Sequence, residues 1–155
     1  MKKELCFDIL MVSEIELSYK PVIRPSDRPK IVNQDDAYRL FINTWDATKI
    51  ELVEQFKVML LNHAGRVLGI CTLSSGGITS TVVDPRQIFS VALKANATQI
   101  ILAHNHPSGN LKPSNQDYEV SRKLKAAGQL LDIRVSDHLI ISVEGFYSLA
   151  SEGVL

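Results

Sequence analysis

The stretch that decides the reading is Gln99-Ile-Ile-Leu-Ala103-His104-Asn105-His106-Pro107-Ser108-Gly109-Asn110-Leu-Lys-Pro113-Ser114-Asn-Gln-Asp117. Gln99 to Ala103 is a short apolar run, as expected of a central strand buried on both faces. Two of the four histidines follow it, two residues apart. Alternate strand residues point to the same face, so both imidazoles can reach one metal ion. Pro107, Gly109 and Pro113 shape a tight loop. Ser114 then opens a helix with Asp117 on its first turn, and the loop can bring that carboxylate back to the histidines. Two nitrogens and one oxygen suit a zinc site with three protein ligands and a fourth position open to water. A structural zinc site would close all four positions, often with Cys, and this stretch holds no Cys. Ser114-x-x-Asp117 also reads as a capping box. The two roles are compatible, because a carboxylate at the third helical position gains from the helix N-terminus in either case.

Upstream, Asp84-Pro85 starts a helix, with Asp84 as N-cap and Pro85 at the first helical position. It should run to about Asn96 and bury Ile88, Phe89, Ala92 and Leu93. Before it, Phe56 to Asn62 and Val67 to Leu73 read as a hairpin turning at His63-Ala64-Gly65-Arg66. Ser74-Ser75-Gly76-Gly77 should break the second strand, with another strand over Thr79 to Val83. Asn33 or Asp35 can cap a helix reaching about Trp45, since Ala37, Leu40, Phe41 and Trp45 recur at helical spacing. Pro21, Pro25 and Pro29, spaced by four, forbid a helix and imply an extended arm. Residues 4–19 alternate in a way that favours a strand. Downstream, the Ser114 helix should end near Gly128. Asp132 to Val143 then gives one or two strands, and Phe146 to Leu149 a short last one. The pattern is α/β or α+β with a mixed sheet, not a pure βαβ repeat. Residues 1–30 form an N-terminal strand and proline-rich arm, and 31–155 the domain proper.

The chain has 155 residues, 45% apolar and 22% charged, enough for one domain with a real core. Lys and Arg number 17, Asp and Glu 17, so the formal charge is zero. That disfavours direct nucleic-acid binding, which would need a local basic patch. No run approaches the ~20 apolar residues of a membrane span, and Met1-Lys2-Lys3-Glu4 lacks the features of a secretory signal. Cys6 and Cys71 form no motif. A cytoplasmic protein with reduced thiols is expected.

His104-x-His106, seven residues, then Ser114-x-x-Asp117 resembles the JAMM motif of JAB/MPN-domain metalloproteases. His-Asn-His-Pro-Ser-Gly followed by Pro-Ser-x-x-Asp is similar to the bacterial RadC subfamily in particular. Asp84-Pro-Arg-Gln-Ile-Phe89, Ser136-Asp137-His138-Leu-Ile140 and Phe146-Tyr-Ser-Leu-Ala-Ser-Glu-Gly153 also resemble RadC segments. The likeness covers about Glu54 to Leu155. The helix-hairpin-helix region of longer RadC proteins has no counterpart in Met1 to Lys30. The resemblance implies a cytidine-deaminase-like MPN/JAB fold with a mixed central sheet flanked by helices. It implies one zinc ion per chain, on His104, His106 and Asp117. It also implies a catalytic glutamate just before the first hairpin strand, a place that Glu54 matches and for which Glu51 is the nearby competitor.

A mechanism follows. Zinc lowers the pKa of its bound water toward ~7. Glu54 takes a proton from that water and later delivers one to the leaving amine. Ser114 donates a hydrogen bond to the developing oxyanion. The expected activity is zinc-dependent hydrolysis of a peptide or isopeptide bond in a peptide or protein substrate. The alternative is a RadC-like protein linked to DNA repair or mobile elements that acts without proteolysis. A module that has lost its metal ranks below both, since every metal position is filled. Zinc deaminases need His-x-Glu with Cys-x-x-Cys, and neither occurs. Weaker candidates are Ser75-Gly76 for seating substrate, Asp137-His138 as outer support for the ligands, and Asn105 and Ser108 as loop buttresses. The β-like N-terminal segment and proline arm would suit a homodimer.

Overall fold

The computed structural model describes residue 13 and residues 20–76 and 83–155. The expected strand over 4–19 lies outside them, as does that over 79–83 apart from Val83. Among the described residues, five strands form one sheet in the order β2-β1-β3-β4-β5. The strands are β1 (Gln55–Leu61), β2 (Val67–Ser75), β3 (Gln99–Asn105), β4 (Arg134–Ile141) and β5 (Phe146–Ser148), and the helices are α1 (Gln34–Thr44), α2 (Pro85–Lys94) and α3 (Asn115–Leu130). β1 pairs antiparallel with both β2 and β3, β3 runs parallel to β4, and β4 pairs antiparallel with β5. The mixed sheet with helices on both faces is the expected class.

Alternation along the central strands builds two cores. Phe56, Val58, Leu60, Ile100 and Leu102 face α2 and α3, where they meet Ile88, Phe89, Ala92 and Leu124. Met59, Leu61, Ile101 and Ala103 point the other way, onto Ala37 and Phe41 of α1 and onto Trp45. Lys57 is the charged exception in β1. It is buried, its amine donates to the Thr44 carbonyl at the end of α1 at 2.8 Å, and it lies 4.6 Å over the Trp45 ring. Burial pushes its pKa down. The helix C-terminus and the aromatic face together keep the cation in place.

Each helix starts on its own sequence signal. Asn33 caps α1 in a capping box with Asp36, Asp84 caps α2 ahead of Pro85, and Ser114 caps α3 in a capping box with Asp117. The hairpin forms as expected, but Ser74 and Ser75 do not break it: they pair with Phe56 and Gln55. α3 passes Gly128 and ends at Leu130, β3 runs on through His104 and Asn105, and 132–143 holds one strand. Leu93, expected in the core, is 51% exposed. The proline arm contains a single 3₁₀ turn at Pro25–Asp27, with Pro25 at its first position, where proline is tolerated. The arm then joins the outer side of β2. Val67 N–H donates to the Pro29 carbonyl and Ile31 N–H to the Gly65 carbonyl, each at 2.9 Å.

Candidate metal centre

The site lies at the C-terminal end of β3, where the chain leaves the sheet for α3. His104 is the last residue of β3 paired with β1, opposite Phe56. His106 lies just past the strand, with its N–H on the Ile141 carbonyl at 3.1 Å. A turn from His106 to Gly109 follows, closed by Gly109 N–H on the His106 carbonyl at 2.9 Å. Gly109 takes φ +76°, a left-handed conformation that glycine adopts at no steric cost.

The hydrogen bonds assign both imidazole tautomers. The Ser121 hydroxyl donates to the Asp117 backbone carbonyl at 2.6 Å, so its oxygen accepts from His138 Nδ1, also at 2.6 Å. That leaves His138 Nε2 as the acceptor for His104 Nδ1–H at 2.8 Å. His138 is fully buried, and burial pushes its pKa well down, so the ring is neutral. His106 Nδ1–H donates to the Asn110 carbonyl at 2.6 Å. Each ligand histidine therefore presents its Nε2 lone pair to the site.

Those lone pairs face one another at 3.0 Å. Asp117 Oδ1 is 3.1 Å from His104 Nε2, and Oδ2 is 3.8 Å from His106 Nε2. Asp117 Oδ2 also accepts from Ser114 N–H at 2.6 Å and from the Ser114 hydroxyl at 2.7 Å. Oδ1 is thus the oxygen turned to His104, and Oδ2 the one nearer His106. Burial works to raise the Asp117 pKa; a protonated His104, by hydrogen bond and charge, and the two Ser114 donors all lower it and together outweigh burial. The carboxyl is held well below the usual range. Among the described residues His104, His106 and Asp117 form the group able to hold a metal ion, with donor atoms within 4.8 Å of one another. Three electron-rich atoms this close attract when a cation, a metal ion or a shared proton, lies between them. The donor set therefore fits a metal.

A cleft of about 570 Å³ opens over the three ligands. Glu54 lines it, as do Ser114, Phe56, Leu52, Val83 and Val120, and no Lys or Arg is among its described lining residues. Glu51, the competitor, is exposed and also borders the cleft. Both candidate catalytic residues, Glu54 and Ser114, thus share one cavity with the ligands. The paired Asp137 and His138 divide: His138 supports His104, while Asp137 accepts from the Ser148 hydroxyl at 2.7 Å and Ala150 N–H at 3.0 Å. Ser108 buttresses the loop, accepting from Asn110 N–H at 3.4 Å. Asn105 does not, because it points to the opposite face of the sheet. Ser121 had no sequence signal of its own; it lies four residues past Asp117 on α3, one helical turn below the site.

A RadC-like JAB domain model matches residues 31–154, more of the chain than the 54–155 that carry the motif and its neighbours. The chain is 46% identical over 101 residues to a UPF0758 protein of Flavobacterium johnsoniae, covering 65% of this chain and 44% of that one. It is 40% identical over 147 residues to a UPF0758 protein of Clostridium kluyveri, covering 95% and 63%. A UPF0758 protein of Syntrophotalea carbinolica matches at 34% over 133 residues, covering 86% and 56%. The chain spans about half the length of these curated relatives, and the Clostridium match extends into its first thirty residues. With the domain model matching residues 31–154 and a relative 40% identical over 95% of the chain, the chain belongs to the RadC-like JAB domain family.

Proposed function

We propose that the protein is a zinc-dependent hydrolase of peptide or isopeptide bonds. The observation that carries this is the convergence of two assigned imidazole lone pairs and one carboxylate oxygen at the floor of a cleft that Glu54 also lines. Two nitrogens and an oxygen are a set zinc accepts in sites that leave a position for water. Bound there, zinc would supply Lewis acidity, making water a nucleophile near neutral pH. Glu54 takes the proton from the attacking water and passes it to the departing amine. Ser114 releases Asp117 Oδ2 and turns its hydroxyl to the oxyanion, where one such donor is worth about 10²–10³ in kcat. His138 and Ser121 hold His104 in the ligand tautomer throughout.

The lining favours a peptide over a nucleic acid. Leu52, Phe56, Val83 and Val120 offer an apolar wall, Glu51 and Glu54 carry negative charge, and no described lining residue is cationic. Beyond the proposed zinc, a polyphosphate would find no cationic side chain to pair with among the described lining residues. The test is metal content by mass spectrometry on wild type and Glu54→Gln, with a peptide-library cleavage assay on the same samples. Expected are about one zinc per chain in both and turnover in wild type alone. Turnover in Glu54→Gln would refute the acid/base role, and wild type that holds zinc but cuts nothing in the library would refute the peptidase reading.

A further inference from the structure

We infer that Asn105, the residue between the two histidine ligands, is a positioning residue that sets Glu54 from behind the sheet. The inference rests on the reading of Glu54 as the acid/base group. Asn105 is the last residue of β3 and its side chain is fully buried on the α1 face. The β1–β3 ladder ends one step earlier, at Phe56 and His104. Beyond that point the Asn105 side chain replaces the missing backbone partner. Its Oδ1 accepts from Gln55 N–H at 2.7 Å, and its Nδ2 donates to the Val53 carbonyl at 2.9 Å and the Ile50 carbonyl at 2.6 Å. The partners settle the amide's orientation, since two are carbonyls and one is an N–H.

The Val53 carbonyl and the Gln55 N–H belong to the two peptide units on either side of the Glu54 Cα. One side-chain amide therefore grips both. On the other side, the Glu54 carbonyl accepts from Gly76 N–H at 2.8 Å, which ties the same residue to the end of β2. The backbone of Glu54 is fixed on both sides while its side chain borders the cleft. His104 and His106 reach the metal from the front of β3, and Asn105 reaches the Glu54 segment from its back. The separation between ligands and acid/base group is thus set by three consecutive residues of one strand end. Asp at this position would keep the acceptor for Gln55 but set an oxygen against two carbonyl oxygens. Ala would leave all three backbone groups without a partner.

The experiment measures hydrogen exchange, zinc content and peptide-cleavage kinetics on wild type, Asn105→Ala and Asn105→Asp. In Asn105→Ala the amides of Gln55 and Gly76 should exchange at least about tenfold faster, with the Ala103 amide unchanged. Zinc stoichiometry should stay at wild type. The kcat should fall roughly 10²-fold with KM within about twofold, as for a displaced rather than a missing catalytic group. Asn105→Asp is isosteric and carries the test if the alanine variant does not fold; Gly76 should loosen while Gln55 keeps part of its protection. Unchanged Gly76 exchange in the variant that folds overturns the inference, and so does loss of zinc, which would make Asn105 a support of the ligands instead. If wild type cuts no peptide but Asn105→Ala still loosens Gln55 and Gly76, the clamp stands and the peptidase reading falls.

Discussion

At the scale of single residues, the candidate metal centre depends on where protons sit. His104 can offer Nε2 only because its Nδ1–H has an acceptor in His138, and His138 can accept only because its own Nδ1–H is taken by Ser121. Burial keeps His138 neutral, so this order holds through the neutral range. His138→Ala should fold, since the ring is replaced by a small apolar group, but His104 would lose its orientation and its preferred tautomer. Zinc affinity should fall roughly 10–100-fold, read by competition against a chromophoric chelator. An unchanged affinity would mean that Phe56, stacked on His104 with ring centroids 6.2 Å apart, suffices to orient it. Ser121→Ala should weaken zinc less, because His138 would stay in place beneath His104.

At the scale of elements, α3 is tied at both ends. Its N-terminus carries Asp117 in a capping box, and its C-terminal turn passes so close to the chain that a Cβ on Gly128 would lie 2.3 Å from the Ile133 carbonyl oxygen. That oxygen is backbone at the entry to β4, so relieving the clash requires the main chain to shift. Gly128→Ala should therefore destabilise the fold by about 1–3 kcal/mol, the usual range for overpacking, although alanine is the better helix former. Urea denaturation would read it; a variant as stable as wild type would show that Ile133 can shift. The sequence announced this helix clearly at its start, through Ser114 and Asp117, and misled at its end, because Gly128 reads as a stop signal yet serves a close approach. The same division holds elsewhere. The grouping of His104, His106 and Asp117, the hairpin and all three N-caps are local patterns and were legible. The extension of β2 through Ser75 depends on pairing with Gln55, and the pairing of Pro29 to Ile31 beside β2 on the register of the hairpin. The links from His138 to Ser121 and from Asn105 to the Glu54 segment join residues far apart in the chain, and no local period encodes them. Glu54 is a candidate through family likeness alone, since by residue type it is a surface carboxylate.

Across the whole molecule, the candidate metal centre joins the two ends of one connection. His104 and His106 close β3, Asp117 opens α3, and the cation between them would fasten the β3–α3 crossover to the sheet. Without a cation, the His104 and His106 lone pairs lie 3.0 Å apart, and their nitrogens lie 3.1 and 3.8 Å from the two oxygens of the Asp117 carboxylate, in a partly buried site. Metal binding should therefore stabilise the fold well beyond the cleft. Free zinc at 100 times its dissociation constant is worth about 2.7 kcal/mol. For a chain of this size each kcal/mol moves the melting temperature by roughly 2–4 °C, so chelation should lower Tm by about 5–10 °C. Zinc added back should restore it, and magnesium, which prefers oxygen ligands, should not. In Asp117→Asn, which keeps the shape but removes the charge, Tm should no longer respond to zinc at these concentrations. A wild-type Tm indifferent to zinc and chelator would mean that the three groups share a proton rather than a metal.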